Sequence, residues 1–467
     1  MLIEEIRDTT AFGIFAAIRR LPMPVIVPGW KDGGRYTFVA ASPIIQIRTQ
    51  DGVTRAIDSV SGNVTRYKDP FEALDSILAV RRYDGRGPFP FNGGAVGCLG
   101  YDLNSVIEPR LARHRGGPEE TPQALIGVFD PVCVFEHATG RGYIISTNAD
   151  TARFNEFKRL IQDAGPQMPK PFAATEMASS NMTRQAYLNM IDRAKDYISA
   201  GDIYQINLSQ RLSIPVSGDP FDLFQRLSET HPAPFASFMD FGEFQVVSNT
   251  PERLLRSSGG LIETEPIKGT RPRGKDPAED LLMVEELKQS RKERAEHVMI
   301  VDLERNDLGR VSAPGSVEVS AFEAVHTYEH LHHMVSTIRA RLKPGISTAT
   351  ALKACFPGGS VTGAPKFRAM EIINELEPCA RGIYTGGLGW MDFNGDMDFA
   401  MAIRTAIIKD GLLRLHVGGG IVADSVPLEE YDETLLKARD FLHALGAKPP
   451  GPASFTERTK PTGMSRH

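Results

Sequence analysis

Alternation of apolar and polar residues dominates much of the chain, and it predicts strands. Residues 35–68 carry RYTFVAA and IIQIRT, with turn signals at Asp51-Gly52 and Ser61-Gly62-Asn63. A further hairpin fits PVCVFEH, Ala138-Thr139-Gly140 and GYIIST. Strand-like runs at 383–393, 397–408 and 412–422 are separated by Asn394-Gly395 and Asp410-Gly411, which predicts an antiparallel meander. Helical periodicity covers about 277–300 and a second stretch opening after Asp424-Ser425. That second helix has Pro427 in its first turn, an apolar stripe of Tyr431, Leu435, Ala438, Leu442 and Leu445, and a stop at Gly446. Mixed helices and antiparallel strands predict an α+β class.

GPQMPKPFAATEMASSNM (165–182) reads as a linker between an amino-terminal region, 1–164, and a larger carboxy-terminal region, 183–446. The tail, 447–467, holds four prolines and little to bury, so disorder is expected there. With 467 residues, 41% hydrophobic and 24% charged, the chain has enough apolar sequence for a large core. A formal charge of −5 lacks the basic excess of a general nucleic-acid binder. The longest early apolar stretch, Ala11 to Ile18, is far below the ~20 residues that span a membrane. MLIEEIRDTT is not a signal peptide by its charge order, and four cysteines without a CxxC pair suit reduced thiols. A soluble cytoplasmic protein with no nucleic-acid or membrane partner is expected.

Candidate chemistry gathers in the second half. Glu293 and Glu296 are three apart on one predicted helix, and Glu430 and Glu433 repeat the spacing on the other, with Lys437 one turn on. Brought together, two such pairs supply oxygen ligands for a hard divalent cation. Lys268 stands beside Gly269 at the end of a strand-like run, where a lysine in its neutral form is a nucleophile. In DFAMAIRTAII, strict alternation places Arg404 among alanines, with room to reach a carboxylate. Gly418, Gly419 and Gly420 offer backbone N–H groups to an anion.

Together these pieces resemble the chorismate-using enzymes, a family that includes anthranilate synthase component I, aminodeoxychorismate synthase component I, isochorismate synthase and salicylate synthase. The matching strings are TPERLL (250–255), PIKGTRPRG (266–274), ERAEHVMIVDLERNDLGRV (293–311), GGSVTGAPKFRAM (358–370), RGIYTGGLGW (381–390), AIRTAII (402–408) and GGGIVADSVPLEEYDETLLKAR (418–439). RYTFVAASP (35–43) and GGAVGCLGYDL (93–103) extend the likeness to nearly the whole chain. The resemblance implies an antiparallel sandwich of two sheets with outer helices. It implies Mg2+ held by Glu296 and Glu433 directly and by Glu293 and Glu430 through water. It places Lys437 with the metal on the ring carboxylate of chorismate, and Tyr384, Arg404 and the backbone of Gly418, Gly419 and Gly420 on the enolpyruvyl carboxylate. Gly269, Thr270, His333 and Ser360 are then expected to line the ring.

Two positions discriminate among members. Where water-adding relatives carry a lysine, this chain has Gln205, which cannot deprotonate water. At PIKGT it has Lys268 where anthranilate synthases resemble PIAGT. The resemblance thus implies amination of chorismate at C4, with Lys268 adding at C2 and Glu252 as general acid on the 4-hydroxyl. VGCLGYD around Cys98 fits the family's own pattern rather than a glutaminase elbow, so a separate glutaminase subunit is implied as the ammonia source. A tryptophan site, where relatives have one, would involve Arg35, Tyr36, Thr37 and Phe38 with Pro234, Phe235 and Ala236. The competing expectations are C2 amination with pyruvate loss, as in anthranilate synthase, and a non-catalytic chorismate-binding subunit.

Overall fold

The computed structural model describes residues 1–29, 35–111, 121–148, 150–163, 169–328 and 331–451. Two antiparallel sheets face each other. Among the described residues one has thirteen strands and the other twelve. The inner faces meet in a layer where Val25, Phe38, Met239 and Val246 of the first sheet pack on Val96, Leu125, Leu388 and Trp390 of the second. Trp390 anchors it, its ring edge-on to Phe38 at 5.7 Å. Helices cover both outer faces, which the α+β expectation anticipated: one outer cluster includes Phe221, Phe224, Phe441 and Leu442, the other Phe71, Leu74, Val301 and Leu352. Apolar residues on both faces of a strand require such a three-layer burial.

The strands that matter below are β1 (Gly94–Leu99), β2 (Gln205–Ser217), β3 (Arg253–Ser258), β4 (Leu261–Glu265), β5 (Ile267–Pro272), β6 (Leu331–Arg341), β7 (Gly387–Asp392), β8 (Met397–Met401), β9 (Thr405–Lys409) and β10 (Leu412–Ile421). The helices are α1 (Pro277–Gln289), α2 (Arg291–Val311), α3 (Lys366–Leu376) and α4 (Pro427–Leu445). The second sheet runs β5-β6-β4-β3-β8-β7-β1 and continues through Ala124–Phe129 into the hairpins of the amino-terminal region. In the first sheet β9, β10 and β2 are consecutive neighbours.

Three sequence expectations need correction. The stretch 277–300 is two helices, because the Ser290 hydroxyl accepts from the Glu293 N–H and so starts α2 afresh after α1 ends. The runs at 383–422 are not one meander. β7 and β8 lie in the second sheet while β9 and β10 lie in the first, and the chain crosses between sheets at 402–404. Arg404, with φ +49, sits at that crossing, so the alternation that placed it on an alanine face does not apply. The segment 165–182 adds two short strands to the first sheet. Its residues Ala173–Ala174 and Ser179–Ser180 pair with β2, and β1 of the amino-terminal region pairs with β7 of the carboxy-terminal one. Residues 165–168, and 452–467 of the expected tail, lie outside the described residues. α4 begins at Pro427 and ends at Gly446 with φ +65, as the punctuation predicts. Among the described residues no helix is long and apolar enough to cross a membrane.

Candidate active site

The site is built where β5, β10, α2 and α4 converge. β5 pairs with β6 in a shifted register: Ile267 lies opposite Val335, but Thr270 lies opposite His333. The extra residue makes a bulge at Lys268-Gly269, and a bulge re-aims the side chain it carries. Gly269 has φ +80, and a Cβ there would stand 2.7 Å from Leu287 Cδ1 and 3.3 Å from the Glu293 carboxyl carbon. Only glycine suits both constraints.

The triglycine of β10 is the floor. A Cβ at Gly418 would lie 2.9 Å from the Tyr384 hydroxyl. At Gly419 it would lie 3.3 Å from Glu430 Oε2 and 3.8 Å from Lys437 Nζ. At Gly420 it would lie 2.5 Å from Gln205 Nε2 and 3.6 Å from Lys268 Nζ. The absent side chains thus leave room on both faces of β10, with Glu430 and Lys437 approaching at Gly419 and Tyr384, Gln205 and Lys268 approaching at Gly418 and Gly420. Lys437 also donates to the Gly418 carbonyl at 2.8 Å.

Glu252 is buried and accepts from the Ser360 hydroxyl at 2.5 Å. Burial raises its carboxyl above the ordinary range, opposed by the Ser360 hydrogen bond and by the charges of Lys268 and Lys437. Those two lysines therefore lie close enough to feel the acid's charge. His333 Nδ1 is 2.9 Å from the Thr270 hydroxyl. Burial, with the Arg404 cation next, pushes His333 down to about 4, so its ring is neutral at neutral pH. Arg404 is one-third exposed and 3.8 Å from Asp440.

Glu293 on α2 and Glu430 and Glu433 on α4 border this region. Glu293 is held by the Arg271 guanidinium at 2.9 and 3.2 Å, Glu430 accepts from Ser425 at 2.6 Å, and Glu433 pairs with Lys437 at 2.6 Å. Glu296 is partly buried on the same face of α2 as Glu293. Among the described residues no three His, Cys, Asp or Glu side chains cluster tightly enough to hold a metal ion. The candidate donors are all carboxylate oxygens, the type a hard divalent cation takes, carried on two helices, with Arg271 paired to Glu293 and Lys437 to Glu433.

The segments expected at a tryptophan site lead into strands on either side of Val25–Gly29, Tyr36–Ala40 on one edge and Ser237–Asp240 on the other. Arg35 pairs with Glu136 at 2.9 Å, Tyr36 lies 3.4 Å from the same carboxylate, and Thr37 bonds His137 at 2.8 Å. Phe38 is buried against Phe91 and Trp390 in the inter-sheet layer. Phe235 packs instead under the Arg253 guanidinium, 5.3 Å from its ring centre, while Pro234 and Ala236 are partly buried beside it.

Sequence reasoning missed four buried groups next to the site. The Glu304 carboxyl on α2 lies 2.6 Å from the Thr264 hydroxyl, and burial, with the nearby charge of Glu252, pushes it up to about 8. Arg381 and Glu377 form a buried pair at 2.8 Å beneath Tyr384, and His416 stacks on the Tyr384 ring at 5.1 Å. ERNDLG and RGIYTGG were visible as strings, but no periodicity marks a polar group that turns inward.

Comparison with known proteins finds relatives over most of the chain. A family model described as chorismate binding enzyme matches residues 30–443. Aminodeoxychorismate synthase component 1 of Bacillus subtilis is 38% identical over 424 residues, 88% of this chain and 90% of that one. Anthranilate synthase component 1 of Pseudomonas aeruginosa is 39% identical over 442 residues, 90% of this chain and 89% of that one. Among solved structures, anthranilate synthase component I from Streptococcus pneumoniae superposes with a TM-score of 0.76 at 33% identity, covering 87% of this chain and 91% of that one.

Proposed function

This chain belongs to the chorismate binding enzyme family, and from that premise we propose that it is an enzyme aminating chorismate at C4 to give 4-amino-4-deoxychorismate. That it uses chorismate follows from the family; the position of amination is the proposal. The observation that carries it is Lys268, turned by the β5 bulge toward Gly420 in the company of Glu252. An alanine at that place would leave C2 open to ammonia, whereas an amine there occupies it.

In the first step neutral Lys268 bonds to C2, the ring double bonds shift, and the C4–oxygen bond breaks. Glu252 gives its proton to the departing hydroxyl, which leaves as water, and becomes a carboxylate. Burial keeps a proton on Glu252 at higher pH than an exposed glutamate would, and the Ser360 hydroxyl then stabilises the carboxylate that forms. In the second step ammonia bonds to C4, the double bonds shift back, and the C2–nitrogen bond breaks to release the lysine amine. The C4 ammonium returns one proton to Glu252, so the site is reset with pyruvate still attached.

Tyr384, Arg404 and the Gly418–Gly420 backbone would hold the enolpyruvyl carboxylate, and Lys437 the ring carboxylate. Gly269, Thr270, His333 and Ser360 would flank the ring. Glu293, Glu296, Glu430 and Glu433 would hold Mg2+, which when bound neutralises the ring carboxylate and orients the substrate. Ammonia would come from a glutaminase subunit, a reading supported by the name component 1 borne by the relatives.

The test uses chorismate, magnesium and ammonium, with products separated chromatographically. The proposal expects 4-amino-4-deoxychorismate and no pyruvate, with turnover reduced at least about a hundredfold in Lys268→Ala, since covalent and acid–base groups each contribute that much. Anthranilate with an equivalent of pyruvate would show C2 amination instead, and no loss of chorismate would show a binding subunit.

A further inference from the structure

Beneath Tyr384 lies a buried guanidinium with every donor used. Arg381 Nε and one Nη2 hydrogen go to Glu377 at 2.9 and 2.8 Å, and the other Nη2 hydrogen goes to the Asn207 carbonyl at 2.7 Å. Its Nη1 hydrogens go to the Val361 carbonyl at 3.0 Å and the Thr385 hydroxyl at 3.2 Å. Five donors with five acceptors is the full capacity of the side chain. Glu377 in turn accepts from the N–H and hydroxyl of Ser209 at 2.8 and 2.9 Å.

These acceptors belong to the parts that form the site. Asn207 and Ser209 are the β2 partners of Gly420 and Gly418, and Val361 follows Ser360, the residue bonded to Glu252. Thr385 follows Tyr384. It is fully buried and has φ +61, a conformation rare for a β-branched residue. The turn persists because its surroundings over-determine it. The Thr385 N–H donates to the Ala402 carbonyl at 2.9 Å, and its hydroxyl donates to the Tyr384 carbonyl at 2.6 Å while receiving Arg381. The Arg381–Glu377 pair is neutral as a unit, so its contribution is geometric, and the cation available to an incoming carboxylate remains Arg404.

We propose that Arg381 and Thr385 are positioning residues that hold the strained turn of Tyr384 and so keep its hydroxyl over Gly418 for the enolpyruvyl carboxylate. The inference rests on the reading of Tyr384 as a substrate contact. Neither residue touches the reacting carbons; both act through the tyrosine.

The experiment is steady-state kinetics with ammonium on the full chain, comparing KM for chorismate with KM for ammonium. Loss of a hydrogen bond to a charged group makes Tyr384→Phe raise KM for chorismate about tenfold. Thr385→Ala is expected to do the same while KM for ammonium stays within about twofold, and Thr385→Ser, which keeps the hydroxyl, restores the original value within about twofold. Because one residue acts through the other, Thr385→Ala combined with Tyr384→Phe is expected to be no worse than the more damaged single variant. Arg381→Lys, which keeps the charge but loses the fork, is expected to follow Thr385→Ala; should it fail to fold, the Thr385 series decides alone. An unchanged KM in Thr385→Ala, or multiplied effects in the double variant, overturns the inference while leaving the function intact. An unchanged KM in Tyr384→Phe overturns the substrate-contact reading and the inference with it.

Discussion

At the scale of single residues, the site owes its character to burial. Glu252 and Glu304 are two buried carboxyls that feel each other's charge, and the Thr264 hydroxyl shows how Glu304 is held. That oxygen lies 3.0 Å from the Leu254 carbonyl and 2.6 Å from Glu304, yet it has one hydrogen for two acceptors. A protonated Glu304 resolves this, donating to Thr264 while Thr264 donates to Leu254. The sign of the linked stability follows. Glu304 ionises near ~4.3 in the unfolded chain and near 8 in the folded one, so the folded state holds the extra proton between those values. Its contribution is present in full below the unfolded value and is lost as pH rises through the window. Glu304→Gln keeps a donor to Thr264 and cannot ionise. Its melting temperature should exceed that of the parent by a margin that opens between about pH 5 and pH 8 and then levels. A margin that does not vary with pH contradicts a protonated Glu304. The glutamate pairs and Lys268 were legible in the sequence because they stand in spaced or punctuated contexts. Glu304, Arg381 and Thr385 were not, since an inward-turned polar side chain leaves no period behind it.

At the scale of elements, one irregularity does the aiming. Without the β5 bulge the register of Ile267 opposite Val335 would continue, and Lys268 would follow the pleat instead of facing Gly420. Gly269→Ala adds a Cβ at φ +80 into Leu287 and Glu293, so the strand must shift. We expect at least tenfold lower turnover and a stability loss of about 1–2 kcal/mol by chemical denaturation, the cost of an L-residue in that region. Full activity in this variant would show that the bulge does not place the lysine. Helix ends were readable from local chemistry, as Pro427 and Gly446 demonstrate. The break at Ser290 and the sheet crossing at 402–404 were not. A serine cap inside a charged helix resembles any surface serine, and the crossing is dictated by which sheet each strand joins.

At the scale of the whole molecule, both sheets draw strands from both halves of the chain. β1 lies against β7, and the strand Val25–Gly29 pairs with Ser237–Asp240. Sandwich and helix layers were foreseeable from alternation and family likeness, but this interleaving was not, because pairing between distant strands has no local signature. A shared core predicts shared melting: in a Trp30→Phe background, backbone circular dichroism and emission from Trp390, buried between the sheets, should report one coincident thermal transition. Two separated transitions would contradict the interleaving.

On the proposed route the Lys268 amine bonds to C2 of chorismate before ammonia arrives. Intact-protein mass spectrometry of the enzyme incubated with chorismate and magnesium, without any ammonia source, tests it directly. A mass increase equal to chorismate less one water is expected, mapped to the peptide carrying Lys268 and discharged as 4-amino-4-deoxychorismate when ammonium is added. Protein that turns over chorismate with ammonium yet shows no such adduct under rapid quench would contradict it.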